Sequence, residues 1–296
     1  MGNEGKLFGP VVISGVGGSG TRVVAHMLIE MGFYMGRELN QAYDNLWFTL
    51  LFRRPRWYMK RACKDKELVL RGLDILTRIM VGSLRPNWGE LRFIMRAMFE
   101  KSYARHRTPQ RIIQILQFII RAIRSEDVNL SRYSGWGWKC PNSHIYIDYL
   151  REYYENLRFI HVIRHGLDMA YSKNRNQLFL WGAYFGVDIP PSPALLPRAA
   201  LEYWIRANRR VITCGEKMEG NKFLLVNFDD LCAFPREETA KIVTFVGLEA
   251  ENRFVNKLSG IPKTPPSKDR YKGQDLSLFS HAQLDAVHEL GFEIQR

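Results

Sequence analysis

The chain has 296 residues, of which 46% are hydrophobic and 25% charged. This excludes a largely disordered or fibrous polypeptide and allows roughly 75% of the unfolded chain's surface to be buried. Lys and Arg total 43 against 30 Asp and Glu, a formal net charge of +13, and residues 51–135 alone carry 19 basic and 7 acidic residues. Most of those arginines fit a solvated helical face, but so concentrated an excess also suits an anionic partner: an acidic glycan, a lipid headgroup surface or nucleic acid.

Four cysteines (Cys63, Cys140, Cys214, Cys232) lie far apart with no CxxC pair. Neither a zinc site nor a disulfide framework is readable, so reduced thiols and a cytoplasmic protein are expected. No segment approaches the ~18 apolar residues of a membrane span. The start lacks a basic-then-apolar leader, and Lys6 stands where a myristoylation site needs Ser or Thr.

In chain order, Val11–Ser14 is a short apolar strand that stops at a glycine cluster. From Thr21 to Met31 the residues Val24, Met27, Leu28 and Met31 recur at helical spacing. Phe33–Met35 predicts a short second strand. Residues 41–134 then form a basic helical insertion within a single domain, 1–296, with breaks near Pro55, Pro86 and Pro109. The insertion is expected to face the substrate. The strand–helix rhythm resumes with a strand at Gly135–Lys139, a helix from about Ser143 to Tyr154, and Arg158–Ile163, a nearly continuous apolar run suited to a parallel strand covered on both faces. A helix over 166–180, a loop over Ile189–Pro197, a helix over 198–218, a strand at Phe223–Val226 and a helix from Pro235 to near Gly247 follow. A Pro- and Lys-rich stretch (Lys263–Lys272) and a last helix (Ala282–Leu290) end the chain. The pattern predicts an α/β fold: a parallel central sheet flanked by helices.

Gly15-Val-Gly17-Gly18-Ser19-Gly20-Thr21-Arg22 joins the first strand to the first helix. Glycines allow the tight turn, several N–H groups can converge on one anion, and the helix N-terminus adds partial positive charge. This favours phosphate binding over a mere turn. Gly15-x-Gly17-x-x-Gly20 satisfies the dinucleotide fingerprint, with Glu38 near the place of a ribose-binding acid, so an NAD-dependent oxidoreductase is one reading. Gly15-x4-Gly20 also begins a Walker A loop, but Thr21 and Arg22 replace its Lys and Ser/Thr, which disfavours nucleoside triphosphate hydrolysis. A second segment, Val162-Ile-Arg164-His-Gly-Leu-Asp-Met-Ala-Tyr-Ser172, puts an arginine at the end of a buried strand and a serine eight residues later. On a helix starting near Gly166 these would suit a second phosphate group.

In order and spacing the two segments resemble the sulfotransferase family that uses 3′-phosphoadenosine-5′-phosphosulfate (PAPS), whose fold is P-loop-like. Gly17-Gly18-Ser19-Gly20-Thr21-Arg22 matches the family's 5′-phosphosulfate loop, and Arg164 with Ser172 matches its 3′-phosphate pair. Val226-Asn-Phe-Asp-Asp-Leu231, Pro235 and Lys241–Gly247 resemble its strand, turn and Pro-started helix. Arg270 and Lys272 in Asp269-Arg-Tyr-Lys-Gly273 resemble its basic loop over the nucleotide. The likeness covers about residues 8–40 and 135–296 and omits the insertion. Two departures matter. Gly18 stands where the family usually has a basic residue, so Arg22 or Lys139 must supply that charge. Lys139-Cys140-Pro141 keeps the lysine of a family segment but lacks its histidine base, while Glu38 stands near a glutamate that some members use instead.

The resemblance implies transfer of a sulfuryl group from PAPS to an acceptor hydroxyl, with no metal required. Sulfuryl transfer is in-line displacement, akin to loose phosphoryl transfer. It needs alignment, a base and positive charge over the leaving phosphate. The N–H groups of Gly18 to Thr21 are expected to hold the 5′-phosphate, Arg22 and Lys139 to counter charge, and Glu38 to act as base, with His144 and Asp44 in reserve. Trp47 is a core residue or a stacking surface for a ligand ring. A carbohydrate or glycolipid acceptor, gripped by the basic insertion, and peripheral membrane contact through that insertion are the partner expectations. A nucleic-acid or anionic-membrane binding module on a nucleotide fold is the alternative, although no zinc finger, RNP-type aromatic pair or recognition helix is present.

Overall fold

Five strands, β1 (Val11–Gly15), β2 (Phe33–Tyr34), β3 (Gly135–Lys139), β4 (Arg158–Ile163) and β5 (Phe223–Asn227), form one sheet in the order β2-β3-β1-β4-β5. Every neighbouring pair is parallel. The structure is a computed structural model and describes residues 9–100 and 109–295. All five residues of β1 are buried, as expected of a central parallel strand.

The helices are α1 (Thr21–Glu30), α2 (Leu46–Phe52), α3 (Pro55–Trp57), α4 (Lys66–Val81), α5 (Trp88–Phe99), α6 (Pro109–Ile123), α7 (Ile147–Tyr153), α8 (Gly166–Ala170), α9 (Asn176–Trp181), α10 (Leu196–Glu216), α11 (Phe228–Ala233), α12 (Pro235–Phe245), α13 (Asn252–Leu258) and α14 (His281–Glu289). Polar caps set several of their starts. Asp65 accepts the Glu67 N–H at the head of α4, and Asn87 with Glu90, like Ser280 with Gln283, forms a reciprocal capping box. The segment from α2 to α6 lies between β2 and β3, where the basic insertion is expected.

Side chains alternate across the sheet. Val11, Ile13, Ile160 and Val162 pack on one face with Val24 and Leu28 of α1 and Ile242 of α12. Val12, Trp138, Phe159 and Ile163 pack on the other with Phe48 of α2, Leu73 of α4, Leu167 of α8 and Trp204 of α10. The chain thus leaves β1 for a helix on one face and leaves β4 for helices on the opposite face. The carboxyl ends of β1 and β4 are therefore a switch point of the sheet, the place where doubly wound sheets bind ligands.

Two helical expectations are corrected. The helix over 166–180 is broken: α8 ends at Ala170 and α9 begins at Asn176. Ser172 Oγ accepts the Asn174 N–H, and Asn174 Oδ1 accepts the Asn176 N–H. Such local bonds offer the backbone an alternative to helix. Ser172 therefore lies in a turn, not two turns into a helix. Likewise Pro141–Tyr146 is a 3-10 segment, and α7 starts only at Ile147.

Candidate active site

The glycine loop is held from both sides. Gly17 N–H donates to Gln177 Oε1 (3.0 Å), and Gln177 Nε2 donates back to the Gly15 carbonyl (3.4 Å). Gly18 and Gly20 have φ of 104° and 96°, a region that favours glycine. A Cβ at Gly20 would also overlap the Phe228 ring. The Ser19 N–H is bonded to the Val16 carbonyl (3.0 Å). Of the expected Gly18-to-Thr21 cradle, the Ser19 amide is thus already committed. Gly18, Gly20, Thr21 and Arg22 have no N–H partner among the described residues, as expected at the head of a helix. Ser19 Oγ is buried with no hydrogen-bond partner among the described residues.

From the neighbouring strand, β4 delivers Arg164, which is 4% exposed. Its Nη1 lies 3.5 Å from the Gly18 carbonyl oxygen, so the two predicted phosphate motifs meet. Nη2 donates to Ser267 Oγ (3.0 Å) and lies 3.4 Å from Asp168 Oδ2, while Nε is buried without a partner. Asp168 Oδ2 also accepts the Asp269 N–H (3.0 Å). His165 stacks on Tyr271, with ring centroids 4.6 Å apart. The segment 267–271 is therefore fastened to the end of β4. It brings Arg270, whose Nε donates to the Ser267 carbonyl (3.1 Å). Burial first, then the neighbouring Arg164 charge, hold the Arg270 guanidinium below its usual pKa.

The turn carrying Ser172 belongs to the same neighbourhood. A Cβ at Gly18 would touch Met169, and one at Gly17 would touch Asn174 and Gln177. Arg175 lines a small cavity of about 20 Å³ together with Val16 and Gly17. Arg22 is exposed on the first turn of α1 and makes no ion pair among the described residues. Lys139, 3% exposed at the carboxyl end of β3, donates to Asp44 Oδ1 (2.5 Å) and to the Ala42 carbonyl (3.1 Å). In the sheet register it pairs with Ile13, two residues before the glycine loop begins.

Among the described residues, three expected site residues have no hydrogen bond to the glycine loop or to Arg164. Glu38 lines a cavity of about 240 Å³ with Tyr34, Arg37, Asn45, Trp47 and Arg121, and its Oε1 lies 3.8 Å from Arg121 Nη1. Lys272 pairs with Asp269 (3.2 Å), donates to Gln295 (2.8 Å) and lines a cleft formed with the C-terminal residues. His144 is fully buried. Its Nδ1 contacts the Pro141 carbonyl (2.7 Å), its Nε2 lies 3.4 Å from Tyr203 Oη, and burial, with nearby His161, depresses its pKa to about 3. Closed off from solvent and held between the Pro141 carbonyl and Tyr203, His144 is a packing residue and, against expectation, not a reserve base. Trp47 is a core residue stacked on Phe118 of α6 at 4.2 Å.

Sequence reasoning missed Gln177, Asp168, Ser267 and Phe228. Asp168, four residues after Arg164 at the head of a helix, was visible as an i,i+4 ion pair. Gln177, 160 residues from its partner Gly17, carried no local sign.

A family profile described as the Sulfotransferase family matches residues 10–252. Among solved structures, the sulfotransferase domain of the curacin biosynthetic pathway aligns over 98% of this chain and 100% of its own, at 12% identity and a TM-score of 0.52. The sulfotransferase domain of the Synechococcus PCC 7002 olefin synthase aligns over 97% and 95% at 16% identity and a TM-score of 0.46. Sulfotransferase STF9 from Mycobacterium avium aligns over 98% and 78% at 14% identity and a TM-score of 0.48. No curated protein matches the sequence.

Proposed function

The chain belongs to the sulfotransferase family, and we propose that it transfers the sulfuryl group of PAPS to an acceptor hydroxyl, the nucleotide lying in the crevice between β1 and β4. One observation carries this reading: Arg164, at the end of β4, lies against the carbonyl of Gly18 in the loop after β1. A 5′-phosphate group on the free amides of Gly18, Gly20 and Thr21 and a 3′-phosphate group at Arg164 would occupy adjoining parts of one crevice. The unpartnered Ser19 Oγ and Arg164 Nε, both buried, fit a ligand rich in acceptor oxygens. Arg270 would add a second guanidinium beside the 3′-phosphate, and Ser172 would bound the crevice on the α8–α9 side.

Bound PAPS supplies a sulfuryl group whose bridging S–O bond breaks as the acceptor oxygen bonds to sulfur. The protein has to orient the acceptor, take its proton and neutralise the leaving phosphate. Gly18 cannot neutralise charge. Arg22, exposed on the first turn of α1 and without an ion pair among the described residues, and Lys139, fixed by Asp44, are the cations for that task. Glu38 takes the acceptor's proton. It faces the 240 Å³ cavity roofed by Ile79, Met80 and Ala122 of the insertion, which is the proposed acceptor pocket, with room for part of a carbohydrate. Asp44 positions Lys139. Incubation with radiolabelled PAPS and a panel of carbohydrate and glycolipid acceptors tests the proposal. Movement of label to one acceptor class supports it; label that stays on the nucleotide or passes only to water argues against it.

A membrane contact has its own support. Ile113, Leu116 and Ile120 are 54%, 38% and 47% exposed along one side of α6, while Ile119 turns inward and Phe118 packs on Trp47. An apolar outer stripe beside Arg121 on a basic insertion suits the surface of an anionic bilayer. No helix among the described residues is long and apolar enough to cross one.

A further inference from the structure

The insertion contains a cleft to which the proposed sulfuryl transfer assigns no role. It encloses about 570 Å³ between α3 with the π-helical turn Tyr58–Ala62 on one side and α5 on the other. Arg54, Arg56, Lys60 and Arg61 line the first wall, and Arg92 and Arg96 the second. Glu100 is the one carboxylate among the lining residues, and it is bonded to Arg54 Nε.

Arg54 lies at the floor. It is 5% exposed, its guanidinium sits 4.5 Å over the Trp57 ring, and its Nη1 is buried with no hydrogen-bond partner among the described residues. A buried guanidinium donor without an acceptor is costly. The other five cations are exposed and form no ion pair among the described residues. Arg92 and Arg96 are an i,i+4 pair of like charge on α5, and Arg56 and Lys60 stand four apart across α3 and the π turn, an arrangement that destabilises a helix unless an anion lies between the charges. Walls of low dielectric focus this field into the cleft.

We propose that this cleft is a second anion site, for a soluble ligand bearing at least two sulfate- or phosphate-type groups. Guanidinium forks match such oxyanions, and two cationic walls supply two places for them. A ligand group has to enter the cleft to reach Arg54; a flat bilayer would meet only the rim. Helix α2 runs from the carboxyl end of β3 to the cleft. That helix starts beside Asn45, whose N–H donates to the Lys139 carbonyl (2.8 Å), and ends next to Arg53 and Arg54. Seven residues of helix span about 10 Å.

Titration calorimetry of the full chain with a sulfated pentasaccharide and, separately, with inositol hexakisphosphate distinguishes the two sources of oxyanion. Saturable binding of either supports the site, provided that Arg92→Glu/Arg96→Glu weakens it at least ~10-fold. Arg56→Glu/Lys60→Glu should do the same from the opposite wall. Arg198→Glu/Arg253→Glu changes the net charge equally outside the cleft and should alter affinity less than about twofold. Equal weakening by all three pairs, or binding of neither ligand, overturns the proposal. Titrated in parallel, 3′-phosphoadenosine-5′-phosphate keeps its affinity in the Arg92/Arg96 pair, which shows the variant folded and leaves the donor site standing. Loss of nucleotide affinity there would mean that the cleft is not a second site.

Discussion

Replacing Arg164 tests the donor crevice and the packing around it at once, and the structure separates the two effects. Asp168 is 1% exposed, its Oδ1 has no hydrogen-bond partner, and its Oδ2 depends on Arg164 and the Asp269 N–H. Arg164→Ala leaves that carboxylate buried without its cation, a loss of about 3–5 kcal/mol. In a chain of this size that lowers the melting temperature by roughly 5–8 °C. The alanine variant alone is therefore a poor probe of ligand binding. Arg164→Lys keeps a charge near Asp168 but loses the fork, so stability falls less. A charge-assisted hydrogen bond to a phosphate is worth about 1.5–3 kcal/mol, so affinity for 3′-phosphoadenosine-5′-phosphate should fall ~10–100-fold. Arg164→Ala/Asp168→Ala removes both charges and should recover part of the lost stability without restoring nucleotide binding. Calorimetric titration alongside thermal melts reads both quantities. Unchanged nucleotide affinity in the lysine variant, or affinity that returns with stability in the double variant, would refute a ligand role for Arg164.

Other consequences are as direct. Gly20→Ala should destabilise the fold by more than ~1 kcal/mol from its positive φ alone, and further through overlap with Phe228; denaturant unfolding that matches the parent would contradict the loop geometry. Glu38→Gln should lower kcat by about 10²-fold or more with nucleotide affinity unchanged, and full activity would move the base assignment to Asp44. His144 and His161 are buried, with pKa values pushed down to about 3 and about 4 by burial. Unfolding lets each return to its ordinary value near 6.5, so the unfolded chain binds more protons below pH 7. Stability should be complete above about pH 7 and fall as the pH drops toward 4, on the order of 2 kcal/mol per histidine by pH 5. Melting temperatures equal at pH 7.5 and pH 5 would show that these rings are not held neutral. Leu116→Glu/Ile120→Glu should reduce sedimentation with phosphatidylglycerol vesicles several-fold; unaltered sedimentation would exclude α6 as the contact.

The parallel sheet was readable because fully buried strands leave a plain trace: Val11–Ile13 and Arg158–Ile163 are apolar runs bounded by glycine or polar turns. The glycine loop was equally plain, since phosphate cradles need residues that tolerate positive φ, and Gly18 and Gly20 adopt it. Local hydrogen bonding hid the rest. Nothing in the periodicity of 166–180 marks the break that the Ser172 and Asn174 side chains impose. Long-range partners were likewise invisible: Gln177 bracing the loop, Ser267 on Arg164, and the Pro141 carbonyl and Tyr203 enclosing His144. Glu38 was singled out by its distance along the chain from the loop, which says nothing about the insertion that closes a cavity over it.

Competitive titration of 3′-phosphoadenosine-5′-phosphate against 5′-AMP, which lacks only the 3′-phosphate, reads the partnership between the two sides of the crevice most directly. Affinity at least ~10-fold higher for the bisphosphate is expected, with the advantage largely lost in Arg164→Lys. Equal affinity for the two nucleotides would mean that β4 holds no 3′-phosphate and that the donor assignment is wrong.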